Sequence, residues 1–211
     1  PLFFFSFFFF FLLLFSSDLL CIEGLARALN IFRGKQAMPE FVAETPAAPQ
    51  VLTVDASTKA IRPFAVAAVL RNVTFTQAGY DSFIDLQERL HQNLCRRRTL
   101  VAIGTHDLDT IKGPFTYTAE APARIKFKPL KFQHNKEYTA PEIMAEYAKD
   151  QHLKQYLPII EGSPVYPVIR DANGVVLSMP PIINGFHSRI STNTKNVFIE
   201  CTATDLTKVG C

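Results

Sequence analysis

The chain has 211 residues, of which 48% are hydrophobic and 19% charged, and it carries a net charge of +3 at neutral pH. That mildly basic balance is compatible with a nucleic acid partner and selects none. The four cysteines, Cys21, Cys95, Cys201 and Cys211, include no CxxC pair or zinc-site spacing, so reduced thiols are expected; Gly-rich phosphate loops, GxSxG and HExxH are absent.

Residues 1–17, PLFFFSFFFFFLLLFSS, use only Phe, Leu, Ser and Pro. A spanning helix needs roughly 20 consecutive apolar residues. The run 2–15 is shorter, is broken by Ser6 and lacks Val, Ile, Ala and Gly. A secretory signal would show an initiator Met, a basic n-region and a small-residue cleavage site, and none stands before Asp18. All four residue types have all-pyrimidine codons, and Ser17-Asp18 can be spelled with the CAG of a splice acceptor. The expectation is therefore a translated polypyrimidine tract, with Asp18 the first informative residue and no membrane association.

From 18 to 32, Ile22, Leu25, Leu29 and Phe32 recur at helical spacing behind Asp18 as N-cap, predicting a short amphipathic helix. Residues 34–59, with Pro39, Pro46 and Pro49 among small and polar residues, have linker composition. RPFAVAAVLRNVTF follows as a strand whose unbroken apolar run suits a sheet buried on both faces. YDSFIDLQERLHQNLCRRR puts Phe83, Leu86, Leu90 and Leu94 on one helical stripe, with Asp81 as N-cap and Arg96, Arg97 and Arg98 in the last turn.

TLVAIGTHDLDTI reads as a strand ending in a polar loop, and ARIKFKPL as a strand alternating basic and apolar residues. TAPE, from Thr139 to Glu142, is a capping box opening a helix that runs to about Tyr156. VYPVIRDANGVVLSM predicts a hairpin around Asn173-Gly174, and NVFIECTATD closes the chain as a strand. Strands and helices mix without a regular βαβ repeat. The expected fold class is α+β, a layered and mostly antiparallel sheet or sandwich with two main helices.

Three polar groups stand out. Gln87 and Arg98, eleven residues apart, fall on nearly one helical azimuth, bordering the core or capping a solvated helix end. His106, in GTHDLDT, is either a general base, a ligand or a contact for ribose or phosphate on a loop, or a part of an Asx-turn. Ser178, Asn184, His187, Ser188 and Arg189 surround the stiff Pro180-Pro181 step, where a strand end becomes a pocket wall. None of these is by itself a catalytic signature.

The blocks DLLCIEGLARAL, RPFAVAAVLRNV, SFIDLQERLHQNLCRRR, VAIGTHDLDTIKGPFTYTA, YLPIIEG, YPVIRDANGVVLSMPPIING and NVFIECTATD, in this order, resemble the phenylalanyl-tRNA synthetase β subunits of the eukaryotic cytosolic type. The resemblance runs over residues 18–209. It implies that 18–33 is the tail of a preceding module, 34–59 a linker and 60–211 the B3/B4 editing domain. In that family DLLC follows ordinary mixed sequence, which agrees with the splice reading of 1–17.

The implied activity is hydrolysis of tyrosine wrongly joined to tRNA(Phe), since an apolar pocket built for Phe rejects an added hydroxyl only about a hundredfold. The implied editing pocket comprises Gln87, Arg98, Ser178, Asn184 and Arg189, with His106, and with Glu161 as acceptor for the phenol; no nucleophile is implied. Arg96 and Arg97 are implied tRNA contacts. The implied partners are the α subunit, in a heterotetramer of two α and two β, and tRNA(Phe), in the cytoplasm. ATP and Mg2+ serve the whole enzyme; no cofactor or metal is implied on this stretch. Phe186 stands where eukaryotic relatives tend to carry an acidic residue, which leaves open an editing-inactive, structural or RNA-binding role.

Overall fold

The computed structural model describes residues 17–206 apart from 41, 43, 45 and 132–135. The readings of the Phe-rich run concern residues 1–17, of which 1–16 lie outside the described part, and Ser17 opens a 3-10 turn, Ser17–Leu20. Among the described residues no helix is long and apolar enough to cross a membrane.

Helix α1 (Ile22–Phe32) begins at Cys21, whose Sγ accepts from the Gly24 N–H at 3.4 Å, so Asp18 is not its N-cap. Its apolar stripe is largely open to solvent, with Ile22 74% and Phe32 77% exposed. A hydrogen bond of 2.7 Å from Ser82 Oγ to Glu23 Oε2 ties it to the next helix. The stretch read as linker contains strand β1 (Leu52–Val54), which pairs in parallel with β4 (Phe115–Glu120), and Leu52 packs against the core. A 3-10 turn, Ala56–Ala60, follows β1; a short strand needs few local signals when a neighbour supplies the hydrogen bonds.

β2 (Phe64–Leu70) and β3 (Val101–Asp107) flank β10 (Val197–Ala203) in a three-stranded antiparallel sheet. The expectation that β2 is buried on both faces fails, because it is an edge strand. Ala65 and Val69 pack inward, while Val66 and Leu70 on the alternate face are 37% and 41% exposed.

Helix α2 (Gln77–Gln92) is capped by Thr76, which accepts from the Gly79 N–H at 3.1 Å. Asp81 lies inside the helix and accepts from Gln77 Nε2 instead of capping it. The arginines are not in the last turn either. Arg96, Arg97 and Arg98 have φ of 46°, 52° and 63°, left-handed values that a right-handed helix cannot continue into.

β5 (Lys126–Phe127) pairs with β6 (Tyr138–Thr139); the ARIKFKPL strand is cut to this short piece, but Ile125 and Phe127 are buried and Lys126 exposed, as the alternation requires. Helix α3 (Ala140–Tyr147) opens with the expected capping box, Thr139 N–H and Oγ1–H donating to Glu142 Oε2 at 2.7 and 2.8 Å. It stops well before Tyr156. Asp150 Oδ1 accepts from the backbone N–H of His152 and Leu153, offering the chain an alternative to helix, and a 3-10 segment Lys154–Ile159 follows.

The hairpin is present as β7 (Tyr166–Arg170) and β8 (Val176–Met179). Asp171 shapes its turn, accepting from the N–H of Asn173 and Val175 at 2.9 Å, with Gly174 at φ 78°. β9 (Ile183–Asn184) completes a five-stranded sheet in the order β1-β4-β7-β8-β9. One face of that sheet packs Val168 and Val176 against α3 and the 3-10 segment; the other packs Phe115, Tyr117 and Leu177 against Phe198 of the three-stranded sheet. Leu90 of α2 covers the far side of the smaller sheet near Cys95 and Val101. The result is the layered α+β arrangement the sequence predicts.

Candidate functional site

A cavity of about 340 Å³ opens where α2, the middle of β3 and the chain from Pro180 to Ile190 meet, with Gln87, Arg98, Thr105, Asn184, Arg189 and Glu200 among its walls. That is room for a single aromatic amino acid or a nucleoside. Tertiary folding thus brings Gln87 and Arg98 together although they share no helix, α2 having ended at Gln92.

Gln87 Nε2 donates to the Ile103 carbonyl at 2.7 Å and fastens α2 to β3. Arg98 Nη1 donates to the carbonyls of Pro181 and Ile182 at 3.2 Å each, and its guanidinium lies 4.1 Å from the Tyr156 ring centroid. Its Nη2 donates to Glu88 Oε2 at 3.3 Å. Arg98 therefore braces the wall around the cis Pro180-Pro181 bond. Glu88 also accepts from Gln92 Nε2 and the Tyr156 hydroxyl. Contact with His91 above all, then with Gln92 and the Arg98 charge, holds its carboxyl far below the usual range against the opposing effect of burial.

Asn184 Nδ2 reaches the Thr105 carbonyl at 3.4 Å, on the edge of a hydrogen bond, leaving most of its amide available to the cavity. Ser178, 1% exposed, donates to Glu200 Oε1 at 2.9 Å. Arg189 is exposed at the rim and donates to the Phe186 carbonyl. Glu161 is exposed and does not line the cavity. Arg96 and Arg97 are exposed beyond the end of α2.

Glu200 was missed from sequence, and it is the most unusual group here. It is 2% exposed, lines the cavity, and its Oε2 has no hydrogen-bond partner among the described residues. The available signal was one carboxylate in the otherwise uncharged seven-residue strand VFIECTA. His106 lies on β3, not in a loop, and is fully buried; the Asx-turn belongs to its neighbour Asp107, which accepts from the Asp109 N–H. His106 Nδ1 is 2.8 Å from Ser188 Oγ, and its Nε2 is 3.9 Å from Glu200 Oε1.

Ser188, His106 and Glu200 do not form a nucleophilic triad. The His-to-Glu separation exceeds a hydrogen bond, and Ser188 is fully buried and off the cavity wall. Burial also pushes the Cys95 and Cys201 thiols up to about 11 and 12, the wrong direction for a nucleophile. Among the described residues no group of three His, Cys, Asp or Glu side chains is placed to hold a metal. What the cavity offers is a buried acceptor, Glu200, in one wall together with the amides of Gln87 and Asn184 and the guanidinium groups of Arg98 and Arg189.

Residues 53–210 match the B3/4 domain family. The phenylalanine–tRNA ligase β subunit of Drosophila melanogaster is 66% identical over 191 residues, covering 90% of this chain and 32% of that one. The Homo sapiens β subunit is 63% identical over 192 residues with the same coverage, and an Arabidopsis thaliana relative, named as cytoplasmic, is 58% identical over 193. An N-terminal fragment of the phenylalanyl-tRNA synthetase β subunit from Pyrococcus horikoshii has a similar structure, with TM-score 0.83 and 36% identity over 92% of this chain and 54% of that one. The chain spans about a third of the length of the curated relatives it matches.

Proposed function

The chain belongs to the B3/4 domain family, and from that premise we propose that it is a segment of a cytoplasmic phenylalanine–tRNA ligase β subunit whose cavity hydrolyses tyrosine wrongly esterified to tRNA(Phe). The observation that carries this reading is Glu200, a buried carboxylate on the cavity wall with one oxygen unpaired among the described residues.

A phenol entering the cavity donates to Glu200 Oε2, and Ser178 on Oε1 holds the carboxylate in place. A phenylalanyl side chain supplies no donor, so it leaves a desolvated acceptor unpaired at a cost of about 1–3 kcal/mol. An apolar synthetic pocket rejects tyrosine weakly, and a site that rewards the hydroxyl supplies the missing discrimination. Glu200, rather than exposed Glu161, takes the role of phenol acceptor in this reading.

Ester cleavage then rests on an oriented water. Asn184 offers its amide to the cavity, where it holds the ester and the water in line, and Gln87, fastened to the Ile103 carbonyl, fixes the wall beside it. In the assembled enzyme, two α and two β subunits use ATP and Mg2+ for aminoacylation, and neither is needed for hydrolysis here.

The test compares loss of tyrosine and phenylalanine from tRNA(Phe) in the presence of the full chain. Tyrosyl ester should be lost about ten- to a hundredfold faster. Glu200→Gln should erase the preference and Asn184→Ala the activity. Equal rates for both esters in the wild-type chain, or no hydrolysis, would overturn the reading.

A further inference from the structure

Glu88 and His91 stand about one turn apart on α2, and both line the cavity. His91 is 3% exposed, and its Nε2 accepts from the Ile103 N–H at 2.9 Å. Burial lowers its pKa from 6.5, so the ring is neutral at pH 7 and its one proton sits on Nδ1. That Nδ1–H is buried and has no hydrogen-bond partner among the described residues. Glu88 Oε2 lies 3.7 Å from it, near enough for attraction and too far for a hydrogen bond.

Glu88 has acceptor capacity left over. Its Oε1 accepts from Gln92 Nε2 at 2.8 Å and from the Tyr156 hydroxyl at 3.1 Å. Among the described residues its Oε2 accepts from Arg98 Nη2 alone, at 3.3 Å. A carboxylate oxygen has two lone pairs, so Oε2 can take one more donor. The cavity wall thus sets an unpaired N–H beside an ionised oxygen with a lone pair to spare.

That pairing selects a ligand chemistry. An ammonium has no lone pair for the Nδ1–H. A carbonyl, carboxylate or phosphate oxygen has no proton for Glu88 and meets its negative charge. A hydroxyl satisfies both groups, accepting from His91 and donating to Glu88. A water does the same, and a sugar hydroxyl can take its place while keeping both bonds.

We propose that His91 and Glu88 form a hydroxyl-binding subsite for the ribose that carries the amino-acid ester, taking its free hydroxyl, the 2′-hydroxyl when the ester is on the 3′-oxygen. This rests on the reading that the cavity receives the aminoacylated end of a tRNA. The phenol is the other hydroxyl of that substrate. The Glu88 side chain is 32% exposed and that of Glu200 only 2%, so the polar sugar meets the open carboxylate and the aromatic ring the deep one. A subsite of this kind also tells an RNA end from a DNA end.

The experiment is fluorescence anisotropy of a 5′-labelled RNA trinucleotide, CCA, ending in adenosine or in 2′-deoxyadenosine, titrated with the full chain. The wild-type chain should bind the ribose end about tenfold more tightly. Glu88→Gln, which removes the charge, should cut that ratio to about two- to threefold. His91→Gln, which keeps an acceptor for Ile103 and loses the ring N–H, should do the same. The readout is a ratio within one protein, so partial unfolding leaves it unmoved. A second arm compares tyrosinamide with phenylalaninamide, whose ratio should fall in Glu200→Gln and hold in His91→Gln.

Equal affinity of the wild-type chain for the two RNAs, no binding of either, or an unchanged ratio in both Glu88→Gln and His91→Gln would overturn the proposal. Loss of the tyrosinamide preference in His91→Gln with the ribose ratio intact would give the subsite to the phenol and overturn it as well. Ribose discrimination through His91 and Glu88 with no tyrosyl ester cleaved would sink the editing reading and leave this one standing.

Discussion

Gly104 faces Glu200 across the β3–β10 pairing, and a Cβ built at residue 104 would overlap the Glu200 carboxylate. The bare glycine is what allows a charged side chain to lie flat over the neighbouring strand and reach Ser178. Gly104→Ala should displace the carboxylate and destabilise the chain by about 1–3 kcal/mol. Hydrolysis should continue with its preference for the tyrosyl ester lost. Urea unfolding and the two-ester assay check this, and a variant that retains full discrimination would refute it.

Arg62 is 1% exposed and gathers the carbonyls of Thr202, Thr99 and Arg98 at 2.8, 3.2 and 3.3 Å. Left-handed backbone costs about 1–2 kcal/mol per ordinary residue, and Arg96, Arg97 and Arg98 all adopt it. Arg62 holds that segment against the cost by clamping its carbonyls, which in turn aims Arg98 at the cis-proline step. Arg62→Met removes the guanidinium from all three carbonyls and leaves the Thr99 carbonyl only the 3.4 Å contact from Thr204 Oγ1. The expected loss is about 3–5 kcal/mol in equilibrium unfolding, with Arg62→Lys recovering part of it.

Acid should weaken the fold in two steps. His91 is 3% exposed and its Nε2 accepts from the Ile103 N–H at 2.9 Å, and burial lowers its pKa from the ordinary 6.5 against the opposing pull of Glu88. Below pH 6.5 the unfolded chain binds a proton that the folded chain resists, so stability present above that pH is lost as pH falls. Glu88 is depressed from 4.5, so its contribution is present above that value and is lost on further acidification. Thermal midpoints should fall between pH 7.5 and 5.5, and less steeply in His91→Gln, whose amide oxygen can replace the lost acceptor. Parallel profiles for the two proteins would contradict the assignment.

Thr139 and Glu142 close the N-terminus of α3 reciprocally. Thr139→Ala should cost about 1 kcal/mol in thermal or urea unfolding and leave the ester preference unchanged, because neither Thr139 nor any residue of α3 lines the cavity.

Features written into short stretches were legible without a structure. The capping box, the Asn173-Gly174 hairpin and the strand alternation of residues 125–127 each depend on neighbours a few positions apart. One error arose where a distant partner decided the outcome: β2 has the composition of a central strand and lies at an edge. The other was local, since Thr76, three residues from the Gly79 N–H it accepts from, caps α2 in place of Asp81.

By itself the sequence determined the α+β class and the family resemblance, and through that resemblance it implied a pocket of Gln87, Arg98, Ser178, Asn184 and Arg189 with His106 and Glu161, of which Gln87, Arg98, Asn184 and Arg189 line the cavity. Only the tertiary structure could decide that Glu200 is the buried carboxylate among them, that His106 lies beneath the cavity rather than in a loop, and that Arg62 clamps the left-handed arginines. The reason is physical. Helix caps and turns are satisfied by atoms a few bonds along the chain, whereas the burial of a charge depends on which strand is set across from it. Here that strand offers a glycine, a choice made by the β3–β10 register across nearly a hundred residues of intervening chain.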